Sequence, residues 1–91
     1  MPHIEPGILL KARGDLAQRL GLDEIDVTEA VVEQSDFPDA SLGAPVEDEM
    51  SAQVITPGWR IRYRAGGETY EYRATQQQLR LVNFKGRNYR V

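Results

Sequence analysis

The sequence predicts an α+β fold: one N-terminal amphipathic helix packed on an antiparallel sheet of about four strands, with a long loop between the first strand and a central hairpin. Three observations predict it. Residues 57 to 73, P-G-W-R-I-R-Y-R-A-G-G-E-T-Y-E-Y-R, alternate apolar and polar side chains on both sides of Gly66-Gly67, the pattern of a two-residue hairpin. Leu9, Ala12, Leu16 and Leu20 recur at helical spacing near the N-terminus. Between these two stretches, and again near the C-terminus, stand short runs rich in β-branched and aliphatic residues.

The first element is a helix over about 7–20. Pro6 suits a first helical turn, where its missing N–H removes no bond, and Gly21 with Leu22 behind it suits a left-handed stop. Leu10, Arg13 and Ala17 flank the apolar stripe, while Lys11, Asp15, Gln18 and Arg19 are expected to face water.

A strand over about 25–34 follows, I-D-V-T-E-A-V-V-E-Q. Its alternation slips near Ala30, Val31 and Val32, which suits a bulge. Residues 35–53 then form a loop far longer than the usual connection of about 4–6 residues. Its first half, with Phe37, Leu42 and two prolines, is expected to be tied to the body, and Glu47-Asp48-Glu49 to be solvated.

Thr56-Pro57-Gly58 is read as a turn or bulge kinking the chain into the hairpin. Taking Gly66-Gly67 as the loop places Ala65 opposite Glu68, Arg64 opposite Thr69, Tyr63 opposite Tyr70, Arg62 opposite Glu71, Ile61 opposite Tyr72 and Arg60 opposite Arg73. One hairpin face is therefore apolar and the other charged. After a polar turn, A-T-Q-Q-Q, the segment L-R-L-V-N-F makes the last strand. The ends, about 1–6 and 86–91, are expected to fray.

Ninety-one residues fill one domain, taken as 1–91. No run approaches the roughly 18 apolar residues of a membrane span, and the N-terminus lacks the pattern of a secretory signal; the expectation is a cytoplasmic monomer with no membrane contact. With no cysteine, disulfides, thiolate metal sites and cysteine nucleophiles are excluded. The net charge of −3 conceals a division. Residues 1–53 carry three basic and twelve acidic side chains, a net −9, and residues 54–91 carry eight basic and two acidic, a net +6. Such asymmetry suits either mutual neutralisation within one domain or a basic surface for an acidic partner.

Three spaced stretches, D-A-S-L-G-A-P at 39–45, Q-V-I-T-P-G-W-R-I at 53–61 and G-G-E-T-Y-E-Y at 66–72, resemble a family of small bacterial domains that carry D-x-S-L-G-C-P, P-G-[YW]-x-I and a G-x-x-Y-x-Y hairpin. The resemblance covers the chain after the first helix and implies a shared fold without an assigned activity. Ala44 stands where that pattern has cysteine, so no thiol chemistry carries over. The order of helix and antiparallel strands also resembles PepSY-type domains of protease propeptides, which implies an inhibitor-like or chaperone-like alternative.

Catalytic chemistry has few candidates. His3 is the only histidine and would have to fold back onto Ser41 or Ser51 to build a triad. Asp36, Asp39 and Glu47 to Glu49 lack the spacing of a calcium loop, and Gly66-Gly67 is followed by no lysine and hydroxyl to make a phosphate loop. No cofactor and no metal are expected. In the 39–45 loop, Asp39 or Ser41 is expected to cap backbone donors, Leu42 to plug the core and Gly43 to take a positive φ; the alternative presents Asp39, Ser41, Leu42 and Pro45 to a partner. On the hairpin, Arg60, Arg62, Arg64 and Arg73, with Arg80, Lys85, Arg87 and Arg90 beyond, form the best binding candidate. The aromatics alternate to the other face, so the arginine face lacks the stacking platform of single-strand binders. The reading is a non-catalytic domain that binds a protein partner or a small anionic ligand through these arginines and the 35–53 loop. A nucleic-acid accessory domain is the first alternative.

Overall fold

The structure, a computed structural model, describes residues 3–91, with the backbone alone at Ala30. Helix α1 (Pro6–Leu20) leads through a 3-10 turn (Glu24–Asp26) into five strands: β1 (Thr28–Phe37), β2 (Thr56–Ala65), β3 (Glu68–Ala74), β4 (Leu79–Phe84) and β5 (Arg87–Arg90). The strands form one antiparallel sheet in the order β1-β2-β3-β4-β5, a meander. The α+β class holds, with one strand more than expected.

The helix begins and ends where its sequence signals stand. Pro6 occupies the first turn, Gly21 stops the helix at φ 68°, and the Leu22 N–H donates to the Ala17 carbonyl at 2.9 Å, closing a left-handed cap. Ala12, Leu16 and Ala17 face the sheet and meet Ile61, Tyr63, Tyr72 and Leu81, each fully buried. Burying an aliphatic side chain of this size stabilises by about 1.5–3 kcal/mol. Two tyrosine hydroxyls fasten the helix to the sheet. Tyr63 donates to the Leu9 carbonyl at 2.9 Å and Tyr72 donates to the Asp15 carboxylate at 2.7 Å. Asp15, expected in water, is instead a partly buried acceptor shared with Arg19 Nε at 2.8 Å.

The hairpin pairs in the predicted register throughout, from Ala65–Glu68 to Arg60–Arg73. A one-residue slip would turn one strand's apolar side chains to the other face, and the two-residue Gly66-Gly67 loop excludes longer slips.

Four boundaries differ from the sequence reading. Residues 24–26 form the 3-10 turn, and β1 starts at Thr28 and runs on to Phe37; its bulge between Glu29 and Val31 falls where the alternation slips, as expected. Thr56-Pro57-Gly58 does not kink the chain. It is paired strand, Phe37 to Thr56, Asp36 to Pro57 and Ser35 to Gly58, because glycine lets β3 approach: a Cβ at position 58 would lie 2.3 Å from the Ala74 carbonyl oxygen. The C-terminal tail is ordered. A tight reversal with positive φ at Asn83, Lys85 and Gly86 turns β4 back into β5, and Tyr89 packs against the core. At the other end Met1 and Pro2 lie outside the described residues, while Ile4 already packs on the core.

The face opposite the helix carries a second, smaller core. Phe37, Ser41, Leu42 and Ala44 are all buried there as the 38–49 loop folds back over the sheet.

Candidate functional site

Strand register determines how the arginines meet. Glu33 opposes Arg60, Arg60 opposes Arg73, Arg73 opposes Arg80 and Arg80 opposes Arg90, so four guanidinium side chains form one row across β2 to β5 on the face away from the helix. One step along, Val31, Arg62, Glu71 and Val82 form the next row, and Thr28, Arg64 and Thr69 the third. Like charges directly opposite one another are destabilising unless anionic or carbonyl groups intervene.

Glu71 and the 38–49 loop supply them. The Glu71 carboxylate accepts from Arg73 Nε at 2.8 Å and Arg62 Nε at 3.3 Å and forms an ion pair with Arg60 Nε at 3.3 Å. Arg60 also reaches Glu33 at 3.6 Å, and Arg60 and Arg73 both lie over the Phe37 ring, 5.7 and 5.3 Å from its centre. The loop provides the rest: the Leu42 carbonyl accepts from Arg73 Nη1 at 2.8 Å, the Ala44 carbonyl from Arg80 Nη1 at 3.2 Å, and Glu49 from both Arg80 terminal nitrogens at 2.5 and 2.7 Å. Arg80, 3% exposed, is thereby fully engaged. Its bidentate bonds hold the Glu49 carboxyl down at about 2. Glu49 is therefore a structural anchor rather than part of a solvated acidic run; Glu47 and Asp48 are exposed.

The loop is shaped by Asp39. Its Oδ1 accepts from the Ser41 hydroxyl at 2.6 Å and from the backbone N–H groups of Ser41 and Gly43, both at 3.0 Å. The Ser41 hydroxyl, then the Gly43 N–H, holds the Asp39 carboxyl below the usual range. Leu42 and Gly43 both take positive φ, 60° and 66°, which drives the Leu42 side chain into the second core at 0% exposure. The capping and plugging expected of Asp39, Ser41, Leu42 and Gly43 are all present. As partner contacts, however, Ser41 and Leu42 offer no side-chain surface, because both are buried; Pro45 is exposed, with its carbonyl bonded to Asn88 Nδ2 at 2.9 Å.

Of the arginines singled out in the sequence, Arg60 and Arg73 are engaged inside this network, Arg62 is held only by the shared Glu71, and Arg64 is exposed with no ion pair among the described residues. Arg80, which the sequence placed beyond the hairpin arginines, is the most deeply buried arginine of the row. Arg73 and Arg80 each stand two residues outside Thr75 and Gln78, whose N–H to carbonyl bond at 2.9 Å closes the turn, and that symmetry sets them opposite each other across β3 and β4. No group of three or more metal-ligating side chains occurs among the described residues, and no helix there is long and apolar enough to cross a membrane.

Residues 9–82 match a family described as a domain of unknown function, DUF8738. The chain belongs to that family. The DUF8738 match runs from the first helical turns into β4, ending at residue 82, so it takes in Arg60, Arg73, Arg80, Glu71 and the whole 38–49 loop, and ends before β5. Membership agrees with the expected small domain family without an assigned activity. No curated protein and no solved structure matches the chain.

Proposed function

We propose that this DUF8738 domain is a non-catalytic binding module whose sheet face takes an anionic group, from a small ligand or an acidic protein partner, at Arg62 and Arg64. One observation carries the reading. A single carboxylate, Glu71, is shared by three guanidinium groups, while Arg64 beside them is exposed and unpaired among the described residues. Shared in this way, one negative charge leaves the rim of the face positive, and arginine's planar fork suits carboxylate or phosphate oxygens. The buried Ser41 hydroxyl, committed to Asp39, favours binding over nucleophilic chemistry.

The test is an NMR titration with heparin at low and at moderate salt. The reading expects amide shifts centred on residues 60–73 that weaken with salt, as screening of exposed charge requires, and that vanish in Arg62→Ser/Arg64→Ser with the fold intact. A titration without shifts at low salt, or shifts unchanged in the double variant, overturns it. A nucleic-acid ligand would show itself as an oligonucleotide binding more tightly than heparin of equal charge.

A further inference from the structure

The helix side of the sheet holds a recess that no arginine lines. β1, β2 and the β3–β4 turn line a half-open cleft of about 310 Å³, bordered among others by Gln34, Asp36, Pro57, Trp59, Thr75 and Gln77. Gln34 pairs with Trp59 and Asp36 with Pro57, and alternation along β2 puts these pairs on the helix side, away from Arg60. Asp36 is accordingly the only formal charge in the lining, and it is exposed with no ion pair among the described residues. Trp59, 7% exposed, and Pro57 give the recess an apolar wall.

The β3–β4 turn forms the other wall and is firmly built. The Gln77 N–H donates to Thr75 Oγ1 at 3.1 Å, the Thr75 N–H to the Gln78 carbonyl at 2.9 Å, and Gln78 Nε2 to the Ala40 carbonyl at 2.9 Å. The turn is thus pinned from within and from the 38–49 loop.

We infer that this cavity binds an organic cation, an ammonium or guanidinium group on an apolar stem, with the stem against Trp59 and Pro57 and the head on Asp36. An indole beside a lone carboxylate attracts a cation through both the ring quadrupole and the formal charge. An anion would meet Asp36 with no compensating base. The volume suits one lysine-sized or arginine-sized group, either free or presented by a protein.

Trp59 is the sole tryptophan, so its emission, and its indole N–H resonance as a second readout, report on the cavity directly. Titration with N-acetyl-lysine amide is expected to give a saturable change in both signals. Asp36→Asn is expected to weaken it on the order of tenfold, the loss of one charge-assisted bond, with an unchanged circular dichroism spectrum because Asp36 is exposed. Butylammonium binding as well as the lysine derivative would identify a free amine as the source; a lysine-containing peptide binding more tightly would identify a protein segment. Either supports the cation site. No saturable change in either signal, an equal response in Asp36→Asn, or equal binding of the neutral N-acetylnorleucine amide overturns it.

Discussion

Arg80 and Glu49, 31 residues apart in sequence, form a two-point guanidinium–carboxylate pair at 2.5 and 2.7 Å beneath the 38–49 loop. It joins the most buried arginine of the sheet to the far end of the 38–49 loop, and so holds that loop down on the sheet. Removing one partner of a buried pair strands the other. Arg80→Ala is expected to cost about 3 kcal/mol in urea denaturation and to free the amides of residues 42–49 for hydrogen exchange.

The same pair predicts acid sensitivity. The folded-state carboxyl of Glu49 is depressed to about 2 from an ordinary 4.5, so its contribution is complete above the ordinary value and is lost as pH falls through the interval between the two. Stability followed by circular dichroism from pH 6 to 2 should decline across that window, and Glu49→Gln should be less stable at neutral pH but flatter with acid. An unchanged profile in Glu49→Gln would show that other carboxylates govern acid unfolding.

At high pH the tyrosines take over. Burial, then the Asp15 carboxylate, pushes the Tyr72 phenol well above the ordinary range, and burial raises Tyr63 as well. A raised phenol contributes stability that is present below its ordinary value of about 10 and is lost as pH rises beyond it. Absorbance at 295 nm should therefore show part of the tyrosine signal ionising only together with unfolding. Tyr72→Phe, which deletes a bond to a charged acceptor, should cost about 1.5–3 kcal/mol, and Tyr63→Phe, which deletes one to a carbonyl, about 0.5–1.5 kcal/mol.

Gly58→Ala tests the close approach of β2 and β3. Its Cβ would stand 2.3 Å from the Ala74 carbonyl oxygen, and backbone cannot step aside as a flexible side chain can. The loss should be about 1–3 kcal/mol, typical of overpacking, whereas Gly7→Ala, with open space around the new methyl, should be neutral or stabilising. Thermal melts of the two variants settle the contrast.

Leu42→Ala should cost about 2–5 kcal/mol, because the side chain is the plug of the second core. Arg62→Ser/Arg64→Ser should leave the melt nearly unchanged. The opposite ranking would mean that the exposed arginines hold the fold and would remove the support for a binding face.

Local pattern determined much of this protein. Two glycines between alternating runs imposed the hairpin register, Pro6 and Gly21 bounded the helix, and Asp39, Ser41 and Gly43 spelled a capped turn, since each of these is decided by backbone chemistry within a few residues. The arginine row was only half legible. Arg60 opposite Arg73 followed from one hairpin, but the row's continuation to Arg80 and Arg90 required the next two registers, including a β4–β5 reversal built on positive φ at Asn83 and Lys85 that no glycine announces at those positions. That Glu49 answers Arg80, that Leu42 and Ala44 lend it and Arg73 their carbonyls, and that Asp36 shares a recess with Trp59 were decided by tertiary structure alone. Charge neutralisation and cavity formation depend on distances between segments that a linear sequence does not hold, and the 38–49 loop has no periodicity from which its landing place could be read.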